Sequence, residues 1–256
     1  MISKGVPGEP LRLSLPGVYF QQLMSFQSEK LIMSSQIDTT PAKRPERTRL
    51  EGRYVTLVPL DPQNHGDALW EQTRGRENDR LWQYLFDGPF SDRAAFDGYL
   101  NKRAAVDDPL TYAILDNESG DPGGHASLMR IEPVHRCIEV GGILYTPVLQ
   151  RTRAATEAMY LLARYVFEDL GYRRYEWKCN ALNEPSRRAA LRLGFTFEGV
   201  FRQHMIMKGQ NRDTAWFSML DREWPVRKAG FERWLDPSNF DAQGKQLASL
   251  SIVIAM

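Results

Sequence analysis

Cysteine is scarce in this chain of 256 residues, which holds only Cys137 and Cys179. Two thiols cannot build the disulfide framework of a small secreted scaffold, and they fit a reducing compartment. Net charge is nearly absent too, with 33 Lys and Arg against 32 Asp and Glu. The overall balance therefore gives no reason to expect a polyanionic partner, and nucleic acid is not expected. No stretch approaches the roughly 20 apolar residues of a membrane helix. The apolar end Leu250-Ser-Ile-Val-Ile-Ala-Met256 is far too short. Prolines and charges interrupt the N-terminus and leave no signal-peptide core. A cytoplasmic protein without a membrane partner is expected. Metal-ligand spacings, a nucleophile elbow and nucleotide fingerprints are missing as well. What remains is length enough for one full domain with an ordinary apolar core.

Residues 1–48 mix Gly, Pro, Ser and Gln without a sustained period and end in Pro41-Ala-Lys-Arg-Pro-Glu-Arg-Thr48. They read as a poorly ordered extension. A domain is expected over 49–236, followed by a tail over 237–256. Arg53–Val58 alternates and is rich in β-formers, so it reads as a strand. Helices are expected from about Asn64 to Arg74, and from Ser91 as N-cap to Ala105. Strands follow at 111–115, 126–131 and 137–145. Ala155, Ala158, Met159, Leu162, Tyr165, Val166 and Leu170 fall at helical spacing, and Gly171 suits a left-handed cap. A strand at 174–179 precedes a short helix opened by Asn183 as N-cap, with Pro185 in its first turn. Thr196 onward and 214–220 read as a final hairpin, and Trp224–Leu235 as the last helix. The order predicts an α/β (α+β) fold with antiparallel hairpins at both ends and a strand–helix–strand crossover between them.

The crossover puts Thr146-Pro-Val-Leu-Gln-Arg151 between a strand end and a helix start. Unpaired N–H groups and the positive end of the helix dipole favour a phosphate there. The small residues of Arg151-Thr-Arg-Ala-Ala-Thr156 let a ligand approach the backbone, and Arg151 and Arg153 add charge.

The run Gln150-Arg-Thr-Arg-Ala-Ala-Thr-Glu-Ala158 resembles the acetyl-CoA pyrophosphate loop of the GNAT acyltransferases, whose pattern is Gln/Arg-x-x-Gly-x-Gly/Ala. Asn183-x-x-Ser186, Leu193-Gly-Phe-Thr-Phe-Glu-Gly199 and Gly52-Arg-Tyr-Val-Thr-Leu-Val-Pro-Leu60 look like further segments of its RimJ/RimL-like branch. The resemblance spans about Leu50 to Leu220. It implies the GNAT fold, a mixed and mostly antiparallel central sheet flanked by helices. It also implies an N-acetyltransferase that uses acetyl-CoA as co-substrate and takes an amine acceptor, either a small molecule or a protein N-terminus. Gln150, Arg151, Thr152, Arg153, Ala154, Ala155, Thr156, Asn183 and Ser186 are then the cofactor-binding candidates. Arg153 stands where the pattern has its central glycine. Its side chain must either point away or clamp a phosphate.

The same resemblance implies direct attack of the amine on the thioester, which needs a base, an oxyanion site and a thiolate acid. Glu139 alternates with Ile138 and Val140 on the strand before the loop and is the candidate base. The tyrosine that family members often use as acid is replaced by Ala190, which leaves Ser186 for that role. His204 is a candidate proton relay, and Trp82, Tyr84 and Phe86 either line the acceptor groove or pack the core. A non-catalytic CoA-binding domain is the alternative reading. Alternating aromatic and basic residues in Tyr172-Arg-Arg-Tyr-Glu-Trp-Lys178 raise RNA association as a third. Edge strands of such sheets often pair between subunits, so a homodimer is an open expectation.

Overall fold

A computed structural model describes residues 38–250; residues 1–37 of the expected extension and the end of the apolar C-terminus lie outside them. Residues 42–46 of the expected extension are tied to the domain. Ala42 and Lys43 donate backbone hydrogen bonds to the carbonyls of Pro133 and Leu170, and the Glu46 N–H donates to the Tyr165 hydroxyl.

Eight strands form one sheet in the order β1-β2-β3-β4-β5-β6-β8-β7. They are β1 (Leu50–Glu51), β2 (Val55–Pro59), β3 (Leu110–Asp116), β4 (Pro122–Glu132), β5 (Cys137–Tyr145), β6 (Arg174–Asn180), β7 (Thr196–Met207) and β8 (Gln210–Leu220). Every neighbouring pair is antiparallel except β5 and β6, the pair joined by the crossover helix. Among the described residues, five α-helices flank the sheet: α1 (Pro62–Thr73), α2 (Arg93–Ala104), α3 (Arg153–Arg164), α4 (Glu184–Arg192) and α5 (Trp224–Leu235).

Local chemistry accounts for the helix ends. Asp61, Asp92, Thr152 and Asn183 each accept a first-turn N–H, satisfying donors that have no partner within a helix. Asp92 rather than Ser91 caps α2, since its carboxylate reaches the N–H of Ala95 at 2.9 Å while the Ser91 hydroxyl only touches Asp92. The long helix is α-helical only to Arg164. One wider π turn, Tyr165–Asp169, carries it to Gly171, which takes the expected left-handed conformation at φ +76°.

Two apolar layers hold the sheet. On one face Ala158 and Leu162 of α3 and Val166 of the π turn share a core with Ile138, Val140, Tyr175 and Trp177. On the other, α1 and α2 bury Leu69, Phe96 and Leu100 around Trp82. Glu157 on α3 is the buried exception. Its carboxylate accepts the N–H groups of Arg53, Tyr54 and Val55 at 2.9, 2.6 and 3.0 Å, which fixes the start of β2 to the crossover helix. Among the described residues no helix is long and apolar enough to cross a membrane.

Candidate active site

The sheet opens at its one parallel seam. β5 and β6 pair only over Cys137–Val140 with Arg174–Trp177. Both continue, but β5 stays with β4 and β6 stays with β8. The divergence has a local cause. The β4–β5 register shifts between His125 and Ser127, opposite Gly142 and Ile143, and Gly142 adopts φ +55°. A bulge at such a place bends its strand away from the neighbour. The wedge leaves edge N–H and C=O groups without a ladder partner, ready for a ligand.

Glu139 stands one residue before the ladder ends and faces opposite to Ile138 and Val140, which are core residues. Its carboxylate is 4% exposed. Its Oε2 lies 2.9 Å from Lys178 Nζ and accepts from Arg130 at 3.1 Å. Oε1 lies beside Gly141, where an added Cβ would sit 3.2 Å from it and 2.6 Å from Met129 Sδ. Burial pushes the Glu139 carboxyl above the usual carboxylate range, against the opposing pull of Lys178 and Arg130. A carboxylate so raised is a better proton acceptor near neutral pH than an exposed one. Lys178 also pairs with Glu176 at 2.6 Å and lies 3.9 Å from the Trp216 ring centre. Trp216 in turn touches Phe201 and His204. His204 therefore shares the face of Glu139, although its ring is exposed. Burial and the nearby Arg130, Arg212 and Lys178 lower its pKa.

The loop ahead of α3 is equally specific. Arg151 is exposed and adopts φ +63°, a left-handed turn that brings the chain into the helix start. The Thr152 hydroxyl donates to the Leu149 carbonyl at 2.7 Å and accepts the Ala155 N–H at 3.0 Å. Gln150 Nε2 donates to the Tyr145 carbonyl at 2.8 Å, closing the loop on the end of β5. Arg153 points away from the loop. Its guanidinium sits 4.7 Å from both the Tyr54 and Phe240 ring centres. The first turn of α3 is thus not obstructed by the residue standing at the glycine position. Ala154 and Ala155 are buried, and Thr156 accepts from Arg192 at 3.2 Å. The polar groups left facing outward there are the Arg151 side chain, the Gln150 side chain and the backbone N–H groups that open α3.

Ser186 lies on the opposite side of the seam from Glu139. Its hydroxyl accepts from Trp177 Nε1 at 3.0 Å and its N–H is capped by Asn183 Oδ1 at 3.1 Å. The same hydroxyl also hydrogen-bonds the buried Cys179 thiol. Trp177 ends the paired part of β6, so Ser186 and Glu139 approach one opening from its two faces. Trp82 is core, 1% exposed, whereas Phe86 is 50% exposed and stacks on Arg212 at 5.0 Å. In the run from Tyr172 to Lys178, the aromatic members are buried and Arg174 and Lys178 are held in ion pairs. No stacking platform for RNA exists there. Arg192 and Arg212 do not stand out as site residues in the sequence, and Lys178 does so only as part of the run from Tyr172; their surroundings make them visible.

The model of the acetyltransferase (GNAT) domain matches residues 55–196, more than half of the chain. This chain belongs to the GNAT family of acetyltransferases. A GCN5-related N-acetyltransferase from Brucella melitensis is 49% identical, with a TM-score of 0.84 over 86% of this chain and 99% of that one. A GNAT-family structure from Chromobacterium violaceum is 35% identical, with a TM-score of 0.68 over 88% and 100%. Bacillus subtilis YdaF, provisionally named a ribosomal N-acetyltransferase, is 31% identical over 41% of this chain and 57% of its own length. The chain thus spans little more than half of that relative, and nearly all of the two solved GNAT structures.

GNAT acetyltransferases use acetyl-CoA, and the residues present suit that co-substrate. The start of α3 is free of the Arg153 side chain, Arg151 is exposed beside it, and the seam opens next to both.

Proposed function

We propose that this GNAT protein transfers an acetyl group from acetyl-CoA to a primary amine by direct attack, in the cytoplasm. The observation that carries the proposal is the β5–β6 wedge, with the carboxylate of Glu139 on one side and the first turn of α3 on the other. Acetyl-CoA supplies the activated acyl group as a thioester when bound. Arg151, Gln150 and the N–H groups that open α3 hold its pyrophosphate. Glu139 accepts the proton of the attacking amine, and Lys178 and Arg130 keep that carboxylate in place. Ser186 returns a proton to the departing thiolate while Trp177 fixes its oxygen. His204 stands at the outer rim of the same face and relays protons to solvent. The name given to YdaF, a ribosomal N-acetyltransferase, favours a protein amine over a free small molecule.

Calorimetric titration with acetyl-CoA, followed by thiol release in the presence of amines, tests the reading. Micromolar binding, about −8 kcal/mol, weakened in Arg151→Ala, is expected, with turnover lost in Glu139→Gln. Binding without turnover on any primary amine would instead favour a CoA-binding regulatory domain. No binding at millimolar acetyl-CoA would remove both.

A further inference from the structure

One strand of this face carries donors that have nothing to bond. β8 alternates, so Arg212, Thr214 and Trp216 share the side of the sheet that holds Lys178 and Glu139. Arg212 is 7% exposed and Thr214 is 1% exposed. Arg212 Nε, Thr214 Oγ1 and Trp216 Nε1 are all buried without a hydrogen-bond partner. Buried polar groups in folded proteins are normally satisfied, so three orphans in a row require an explanation.

The charges around them are also unequal. Glu139, Glu176 and Glu198 are shared among Arg130, Lys178 and Arg174. Arg212 is the additional cation, and among the described residues it makes no ion pair. Its guanidinium is instead stacked on Phe86, which belongs to the loop between α1 and α2. That loop is pinned over this end of the hairpin, since Lys208 Nζ donates to the Trp82 carbonyl at 2.8 Å and the Tyr84 hydroxyl donates to the Leu182 carbonyl at 3.2 Å. The orphan donors thus occupy a built corner rather than a loose surface.

We propose that this corner binds a carboxylate of the acceptor amine, with Arg212 pairing its charge and Thr214 and Trp216 donating to its oxygens. The proposal rests on the acetyl-transfer reading and names the acceptor class. Spacing makes it more specific. Trp216 pairs with Lys178, whose ammonium holds Glu139. Thr214 and Arg212 lie two and four residues further along β8, about 7 and 13 Å at strand rise. Those are backbone separations, and they favour an acceptor whose acid stands beyond the carbon next to the amine. The acceptor carries its acid several bonds away, as the C-terminal carboxylate of a short peptide or as the side chain of an acidic second residue.

Thiol release from acetyl-CoA is measured with alanine, alaninamide, Ala-Ala, Ala-Ala-amide, Ala-Asp-amide and Ala-Asn-amide. Ala-Ala and Ala-Asp-amide are expected to exceed their neutral counterparts at least tenfold in kcat/KM, and alanine is expected to show no such advantage over alaninamide. A preference for Ala-Ala alone assigns the acid to a chain end, and one for Ala-Asp-amide alone assigns it to a side chain. Arg212→Gln should erase the preference while turnover on Ala-Ala-amide remains. Thr214→Val removes an unpartnered hydroxyl, so its Tm should hold or rise while kcat/KM for the acidic acceptor falls; this variant covers the case in which Arg212→Gln fails to fold. Equal turnover of acidic and neutral dipeptides overturns the proposal and leaves the acetyltransferase standing. Titration of the same peptides without acetyl-CoA gives a reading that does not depend on catalysis. Absence of any carboxylate preference there, together with silent turnover, overturns it as well, and the acetyl-CoA titration then tells whether the enzyme reading falls too.

Discussion

β6 presents two different surfaces in alternate residues. Tyr175, Trp177 and Cys179 face α3 and α4 in an apolar core. Arg174, Glu176 and Lys178 face the other way into a web of ion pairs that runs from Glu198 to Glu139. The first surface needs shape, and a misfit there is felt as lost stability. The second needs charge, and part of it is left unsatisfied by the protein itself. One strand therefore separates what holds the fold from what the proposed chemistry uses, at a spacing of one residue.

The largest effect expected from testing that division is on the charged side. Glu139→Gln should lower kcat by about 10²- to 10⁴-fold with acetyl-CoA affinity retained, as thiol release and calorimetry would record. In the wild type, kcat/KM should fall with acidification on a limb lying above the ordinary carboxylate value, because burial raises the pKa of Glu139. The same shift has a sign for stability. A carboxyl raised in the folded state contributes stability below its unfolded pKa, and that stability is lost as pH rises through the folded one. Glu139→Gln should flatten this part of the stability profile in denaturant titrations. A variant whose activity is unchanged would break the comparison outright.

On the core side, Trp177→Ala should cost about 3–5 kcal/mol and lower the urea midpoint, since Trp177 is 6% exposed and its indole also fixes Ser186. Arg153→Ala should cost less, about 1–2 kcal/mol for two ring contacts, with acetyl-CoA affinity within about twofold of wild type. A larger drop in affinity would mean that Arg153 touches the donor. Smallest of all is Tyr175→Phe. The Tyr175 hydroxyl is buried without a partner, so removing it should leave stability equal or up to about 1 kcal/mol higher and turnover unchanged.

Much of this organisation could be read from the chain. Trp224–Leu235 forms a helix at the expected residues, Asn183 caps α4, and alternation set Glu139 against Ile138 and Val140. These features depend on neighbours in sequence. Where two residues of similar chemistry stand side by side, the local signal fails: Ser91 and Asp92 are both good caps, and the geometry of the turn decides. The direction of Arg153 depends on Phe240, far away in sequence. Arg212 was silent for the same reason. Its meaning comes from three strands and a loop that meet around it, and from partners it does not have.

The stacking of Arg153 between Tyr54 and Phe240 carries a consequence for biogenesis. Synthesis proceeds from the N-terminus, so the crossover loop leaves the ribosome long before Phe240 does. Until that ring arrives, Arg153 has only one of its two aromatic partners and its charge is free to swing over the first turn of α3. A nascent chain halted before Phe240 would hold Glu139 and most of the sheet, yet lack the brace that keeps the proposed donor loop clear. Arrested chains of increasing length should therefore gain acetyl-CoA binding late, in one step, as Phe240 clears the exit tunnel.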